Sequence, residues 1–275
     1  MSGQDILVVI DDEVSVRHRL AVVAAIAKRV ETRISGLYVT GLPGTQVFVD
    51  LDGWAQLVDT YMQSQRATAA KAELAFRAEL ARYKLSGDWQ CRETDVTEGV
   101  ITLARLHDLV VMGQPDADVP STGLRASEVL LAAGRPALIV PYAGEFAELG
   151  RNVLIAWNGT REAARALHDA MFLIDGAEAV TVLEVDPADS DVGLPDLKAA
   201  DVIAALRRRG VEAKAESAVS DGTPVADVIL SLAADLTADL VVMGAWGHSR
   251  LREFVLGGAS RGILQEMTVP VLMSH

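Results

Sequence analysis

The hexapeptide DLVVMG stands twice in this chain, at residues 108–113 and 239–244. A longer correspondence runs around it in the same order. DILVVID at 5–11 matches NVLIAWN at 152–158, and RPALIVP at 135–141 matches TVPVLMS at 268–274, with Pro136 opposite Pro270. The offsets between matched stretches are 147, then 131, then 134. The first copy therefore carries sixteen more residues ahead of its hexapeptide and three fewer behind it. A repeat of about 130 residues is too long for a solenoid and has the size of a domain. The chain reads as two sibling domains, 1–143 and 151–275, joined at AGEFAELGR, 143–151.

Within each copy, short apolar runs alternate with amphipathic stretches. In the second half NVLIAW, AVTVLEVD, VEAKAESAV, ADLVVMG and VPVLMS read as five strands. TREAARALHDAMFLI places Ala163, Leu167, Ala170, Met171 and Ile174 on one helical face. PDLKAADVIAALRRRG has Pro195 near its start and Gly210 past its end, and PVADVILSLAADL and 258–267 complete four helices. Strands without internal alternation are buried on both faces, and strict strand–helix alternation predicts a parallel sheet between two helical layers. The first half follows suit, with Val16, Leu20, Val23, Ala27 and Val30 on one face of its first helix. The sixteen extra residues fall between Val39 and Asp108 and are expected to lengthen a helical stretch from about Trp54 to Tyr83. Such a stretch covers the sheet or the other half; a lid over a ligand is the alternative.

Charge and cysteine content narrow the function. The net charge of −13 repels nucleic acid and anionic membranes, so neither is an expected partner. The single cysteine, Cys91, excludes an intramolecular disulfide and is expected in the core of a strand. No secretory leader is read at the start, and LAVVAAIA at 20–27 is far short of a membrane span. A cytoplasmic location is expected.

The stretch behind the second hexapeptide is the candidate site. Gly244, two residues, Gly247, nine residues and Gly257, then Gly258, Ala259 and Ser260, lead from a buried strand into a helix. Glycines let backbone N–H groups approach an anion, and a helix start favours one. Arg250, Arg252 and Arg261 against Glu253 make this stretch locally basic in an acidic chain. Glycine spacing alone serves a turn as well as a ligand. No Walker A lysine is present, and a dinucleotide fingerprint would follow the first strand instead.

The order of pieces is more specific: WNGT after strand one, DGTP before the third helix, the glycine loop after strand four, and a closing PVLM strand. Together these resemble the universal stress protein family in its tandem form, strongly over 150–275 and more weakly over 1–143. The resemblance implies an α/β fold of two Rossmann-like, adenine nucleotide alpha hydrolase-like sheets. Each sheet has five parallel strands in the order 3-2-1-4-5, and a pseudo-twofold through the last strands relates the two. Carried over by position, the nucleoside side is Ala156, Trp157, Asn158 and Val185, and the phosphate side is Met243, Gly244, Gly247, Gly257, Gly258, Ala259 and Ser260. Two residues depart from the family pattern. Asn158 stands for an aspartate, and Gly258 for a serine or threonine.

In the first half Asp11 keeps the acid and Met112 and Gly113 persist, but Asp116 and Asp118 stand in a shortened loop with nothing basic between 113 and 123. That half is expected to keep the scaffold and not the nucleotide. The expected function is binding of ATP, alone or with Mg, in the second half, with a regulatory output in stress response and at most slow, incidental hydrolysis. The alternative is a scaffold that binds an unidentified protein and no nucleotide. Tandem chains pairing into homodimers is a further expectation. No catalytic triad, acid–base carboxylate pair or metal-spaced histidines stand in the sequence. Trp157 stacks on a base or packs in the core; His248, within the loop, meets a phosphate or solvent.

Overall fold

The computed structural model describes residues 3–41, 51–115, 124–186, 197–246 and 258–275. The first half runs β1 (Gln4–Ile10), α1 (Glu13–Ala27), β2 (Thr32–Thr40), α2 (Leu51–Tyr83), β3 (Gly87–Glu93), α3 (Val96–Ala104), β4 (Leu109–Gly113), α4 (Ala126–Ala132) and β5 (Ala137–Val140). The second runs β6 (Asn152–Ala156), α5 (Arg161–Asp169), α6 (Met171–Ile174), β7 (Ala179–Val185), α7 (Ala199–Arg207), β8 (Lys214–Ala218), α8 (Val225–Asp235), β9 (Leu240–Gly244), α9 (Gly258–Glu266) and β10 (Val271–Ser274).

The ten strands form one sheet in the order β3-β2-β1-β4-β5-β10-β9-β6-β7-β8. Each half thus has the order 3-2-1-4-5, all parallel, and the two halves join where β5 and β10 pair antiparallel. Leu138 pairs with Leu272, its own counterpart at the offset of 134, while Ile139 pairs with Val271 and Ala137 with Met273. Self-pairing flanked by exchanged pairs is the signature of a twofold, so the pseudo-axis passes between Leu138 and Leu272. The two sheets expected from the sequence are therefore halves of one, because neither four-residue last strand is left as a bare edge.

Alternate residues of each strand enter opposite cores. Ile6, Val8, Leu109, Val111, Ile155 and Val242 lie with α1, α2, α5 and α7, and Leu7, Val9, Val110, Met112, Leu154 and Met243 with α3, α4, α8 and α9. Helix α1 opens with a capping box in which Asp12 accepts from the Ser15 N–H at 2.7 Å and Ser15 Oγ accepts from the Asp12 N–H. It buries residues nearly all round, from Val16 to Ile26, because the sheet lies under it and α2 over it. Phe76 of α2 is fully buried, resting above Gly36 of β2 and 5.4 Å from the Trp89 ring. The sixteen extra residues thus lengthen α2, which covers α1 and the β2–β3 end of the sheet.

Two details differ from expectation. Cys91 lies in β3 as read, but it is exposed, since β3 is the outermost strand of the sheet. Burial still raises its thiol pKa, and the Glu93 and Glu73 charges add to the shift. The first helix of the second half tightens at Ala170, where Leu173 bonds only three residues back, and continues as the separate α6.

Arg29, just past α1, ties the halves together. Its guanidinium donates to the carbonyls of Leu149 (2.8 Å), Gly150 (2.7 Å) and Asp175 (2.7 Å). From the other side Arg165 of α5 reaches the Gly134 carbonyl at 2.7 Å. Arg29→Ala strips a charged donor from two carbonyls of the junction and one of the second half and is expected to lower the unfolding free energy by about 3 kcal/mol. Urea denaturation measures this, and Arg29→Lys should recover only part of the loss because one ammonium cannot span the fork.

The carboxyl edge of the sheet as candidate ligand site

In an open α/β sheet the crevice for a ligand lies beyond the carboxyl ends of the strands where the chain reverses its order, here between β1 and β4 and between β6 and β9. The larger cavities lined wholly by described residues lie at the opposite, amino-terminal rim. One of about 650 Å³ is walled by Asp5, Glu31, Arg33, Asp88 and Asp108, and one of about 590 Å³ by Phe146, Arg151, Glu178 and Thr237. Topology and donor chemistry favour the crevices.

The repeated hexapeptide works at both of its ends. At the amino end, Asp108 accepts from the Asp5 N–H at 3.0 Å, and Asp239 accepts from the N–H groups of Gly150 (2.8 Å), Arg151 (2.9 Å) and Asn152 (3.3 Å). Each aspartate thereby seats the start of its neighbouring first strand. Burial raises the Asp239 carboxyl above its usual range, against the pull of those three N–H groups. At the carboxyl end, glycine is required by close approach. A Cβ on Gly244 would lie 2.5 Å from the Ala163 nitrogen and 2.6 Å from the Glu162 carbonyl carbon, so α5 backbone occupies that space. A Cβ on Gly113 would strike the Arg19 guanidinium instead.

Arg19 changes the reading of the first half. It is a buried arginine, 5% exposed, that pairs with Asp11 and donates to the Val9 carbonyl. Its guanidinium thus lies between the end of β1 and Gly113 at the end of β4, inside the crevice itself. Counted from each helix N-cap, its counterpart in α5 is Leu167, a core residue. Asp116 and Asp118 lie outside the described residues. Arg19, which sequence reasoning passed over, fills this crevice and engages Asp11, the one acid that half retained. The signal was an arginine directly before the apolar run that starts at Leu20.

In the second half the structure brings Ala156, at the end of β6, beside Met243 of β9, with Val185 at the end of β7. Trp157 is buried, and its indole donates to the Leu197 carbonyl at 3.2 Å, so its ring serves packing. Asn158 is exposed; its Oδ1 accepts from Thr160 Oγ1 at 2.9 Å and shapes the turn into α5. Glu162, 4% exposed and paired with Arg161, adds a carboxylate at this corner that the sequence did not suggest. Burial alone would raise its pKa, but the Arg161 hydrogen bond and the nearby Arg161 and His275 charges hold it below the usual range. Gly258, Ala259 and Ser260 form the first turn of α9. Gly247, His248 and Gly257 lie outside the described residues.

The two loops diverge from their second residue. Ala245 donates to the Ser274 carbonyl just as Gln114 donates to the Val140 carbonyl, both at 2.8 Å. The next position is Trp246 in one half and Pro115 in the other. Trp246 is left-handed, φ 53°, and its N–H donates to Ser260 Oγ at 3.2 Å. Proline has neither that conformation nor an N–H. The residue matching Ser260 is Ala126, which has no hydroxyl to accept one. Gln114 instead turns across the pseudo-axis and donates to the Gln265 carbonyl at 3.0 Å. Among the described residues no group of three or more His, Cys, Asp or Glu side chains is placed to hold a metal ion, and no helix is long and apolar enough to cross a membrane.

Unequal costs follow for the matched glycines. Gly244→Ala drives a methyl into helix backbone and is expected to cost about 3 kcal/mol, whereas Gly113→Ala displaces a side chain and should cost about 1 kcal/mol. In an Arg19→Ala background the Gly113→Ala cost should vanish. Urea midpoints of the two single variants and the double-variant cycle measure both.

The model of the universal stress protein family matches residues 150–275. No curated protein matches the chain. A universal stress protein from Archaeoglobus fulgidus aligns with a TM-score of 0.75 at 19% identity, covering 100% of this chain and 99% of its own. A functionally unknown protein from Pseudomonas aeruginosa aligns with a TM-score of 0.57 at 17% identity, covering 99% of this chain and 92% of its own. At such identities these two likenesses speak for the fold, and they span both halves. Residues 150–275 thus match the universal stress protein family model, and the chain as a whole has the α/β fold of the Archaeoglobus fulgidus universal stress protein, with two units joined in one ten-stranded sheet.

Proposed function

We propose that the chain binds one adenine nucleotide, ATP with Mg²⁺ as its counter-ion, at the carboxyl edge of its second half, and that binding serves regulation in stress response. On this reading 151–275 is the ligand domain and 1–143 its ligand-free sibling, in a cytoplasmic protein that signals to another protein. The observation that carries the reading is the contrast between the crevices. In the first, Arg19 and Asp11 satisfy each other. In the second, Leu167 replaces the arginine, and Ser260 in the first turn of α9 accepts from the N–H of Trp246, two residues beyond β9. A helix start with small residues, in a locally basic stretch of an acidic chain, suits a polyphosphate.

Among the described residues, nothing at this edge is arranged for turnover. Asn158 contributes no charge to a metal, and Glu162 is engaged by Arg161. Regulation therefore rests on binding, with hydrolysis slow and incidental. The second reading, a scaffold without nucleotide, draws on Asn158 Oδ1 and Ser260 Oγ both being used internally.

Titration calorimetry with ATP should give a stoichiometry near one, and Gly247→Val should abolish the heat in a folded protein. Gly258 offers a sharper test. A Cβ there meets no described atom within 4 Å, so Gly258→Ser fits without strain. It restores the hydroxyl of the family pattern and should tighten ATP binding about tenfold. A stoichiometry of two would contradict the plugged first crevice. No heat with ATP, ADP or AMP would favour the scaffold.

A further inference from the structure

Trp246 is the one described residue at this edge whose conformation and polar group are both unaccounted for by packing. It sits two residues beyond β9 with φ 53°. A bulky side chain in that region is an outlier, and such strain collects at functional sites. The conformation is held from three sides. Its own N–H goes to Ser260 Oγ at 3.2 Å, the Ala245 N–H goes to the Ser274 carbonyl, and His275 Nδ1 lies 2.9 Å from the Ala245 carbonyl. These contacts fix the backbone at this position. The ring packs against the core cluster of α8 and α9, yet its Nε1 is buried with no acceptor among the described residues. The other indole at this edge, Trp157, has its acceptor in the Leu197 carbonyl. A phenylalanine would fill the apolar space equally well without stranding a buried donor, which native proteins rarely tolerate.

We propose that the Trp246 indole N–H donates to the anionic part of the bound ligand, a phosphate oxygen of the nucleotide, and so selects phosphorylated nucleosides. This rests on the nucleotide reading of the same edge. An indole nitrogen only donates, so its counterpart is an acceptor. The hydrogen bond from the Trp246 backbone to Ser260 places the residue against the first turn of α9, whose N–H groups favour the same charge. The first half lacks the device entirely, with Pro115 and Ala126 at the matching positions.

The test compares wild type with Trp246→Phe, using ATP and adenosine as probes in calorimetry and unfolding of the ligand-free proteins. Losing one hydrogen bond to a charged acceptor should weaken ATP about tenfold to a hundredfold and leave adenosine unchanged. The ligand-free variant should melt no lower than wild type, since the stranded donor is gone. Equal ATP affinity in the two proteins, or equal loss for ATP and adenosine, overturns the proposal while the nucleotide reading stands. Wild type binding neither probe overturns the reading and the proposal with it. Should Trp246→Phe fail to fold, ¹⁵N-indole spectra of the wild type decide. The Trp246 Nε1–H signal, one of four tryptophans, must move downfield with ATP and stay in place with adenosine. An unmoved signal with bound ATP sinks the idea.

Discussion

The antiparallel pairing of β5 with β10 is the contact on which the rest of this architecture depends. Each half alone is a five-stranded parallel sheet whose last strand has only four residues and a bare outer edge. An edge of that kind must be covered or paired, because unpaired N–H and C=O groups recruit other chains. Self-complementary pairing about Leu138 and Leu272 solves the problem for both halves at once and merges their cores across the sheet. Once that register is set, the positions of Arg29 and Arg165 follow. Arg29, just past α1, faces carbonyls of the junction and the second half, and Arg165 of α5 faces one of the first, where a guanidinium satisfies acceptors that a loose junction would leave to water.

The doubled hexapeptide shows how a repeated sequence can be kept for local physics while function drifts. Its four apolar residues face alternate cores and tolerate exchange among similar shapes. Its ends are more constrained. The aspartate seats the backbone of the neighbouring strand, and the glycine leaves room for the first helix. What meets that glycine differs between halves: helix backbone against Gly244, a buried guanidinium against Gly113. One glycine therefore supports close helix packing in one crevice and a plugged crevice in the other. Neither packing role needs a ligand.

Much of the fold was legible in the residues. Unequal offsets between matched stretches located an insertion, and that insertion is the long α2. The paired, proline-led last strands foretold the junction. What escaped the reading depended on neighbours far along the chain. A cysteine in a strand reads as a small core residue, and only the strand order reveals that β3 is outermost. Arg19 looks like a surface charge on α1 until α2 closes over the helix and leaves its guanidinium facing Asp11. The apolar residues of α1 seemed to mark one face, but they line two, for the same reason. At the site, the strand-end residues Ala156, Val185, Met243 and Gly244 fall where the resemblance implied. The further claim, that they and the glycine loop hold a nucleotide, rests on chemistry at Gly247 and Gly257 that lies outside the described residues.

The divergence of the two crevices is concerted, and that is the strongest internal argument that they do different things. Position 115 lost its N–H to proline, and position 126 lacks the hydroxyl that Ser260 uses to receive it in the other half. Leu167 faces core where Arg19 faces the crevice, so the residue that fills one crevice is absent from the other. Independent drift has no reason to change both members of a hydrogen bond together. A buried arginine paired with a carboxylate is stable only while both partners remain, so the first half is committed to its closed form. The second half keeps a strained tryptophan and a small-residue helix start at the same place. Both features cost stability in a protein with nothing to bind there, and strain that persists at a strand end points to a task beyond folding.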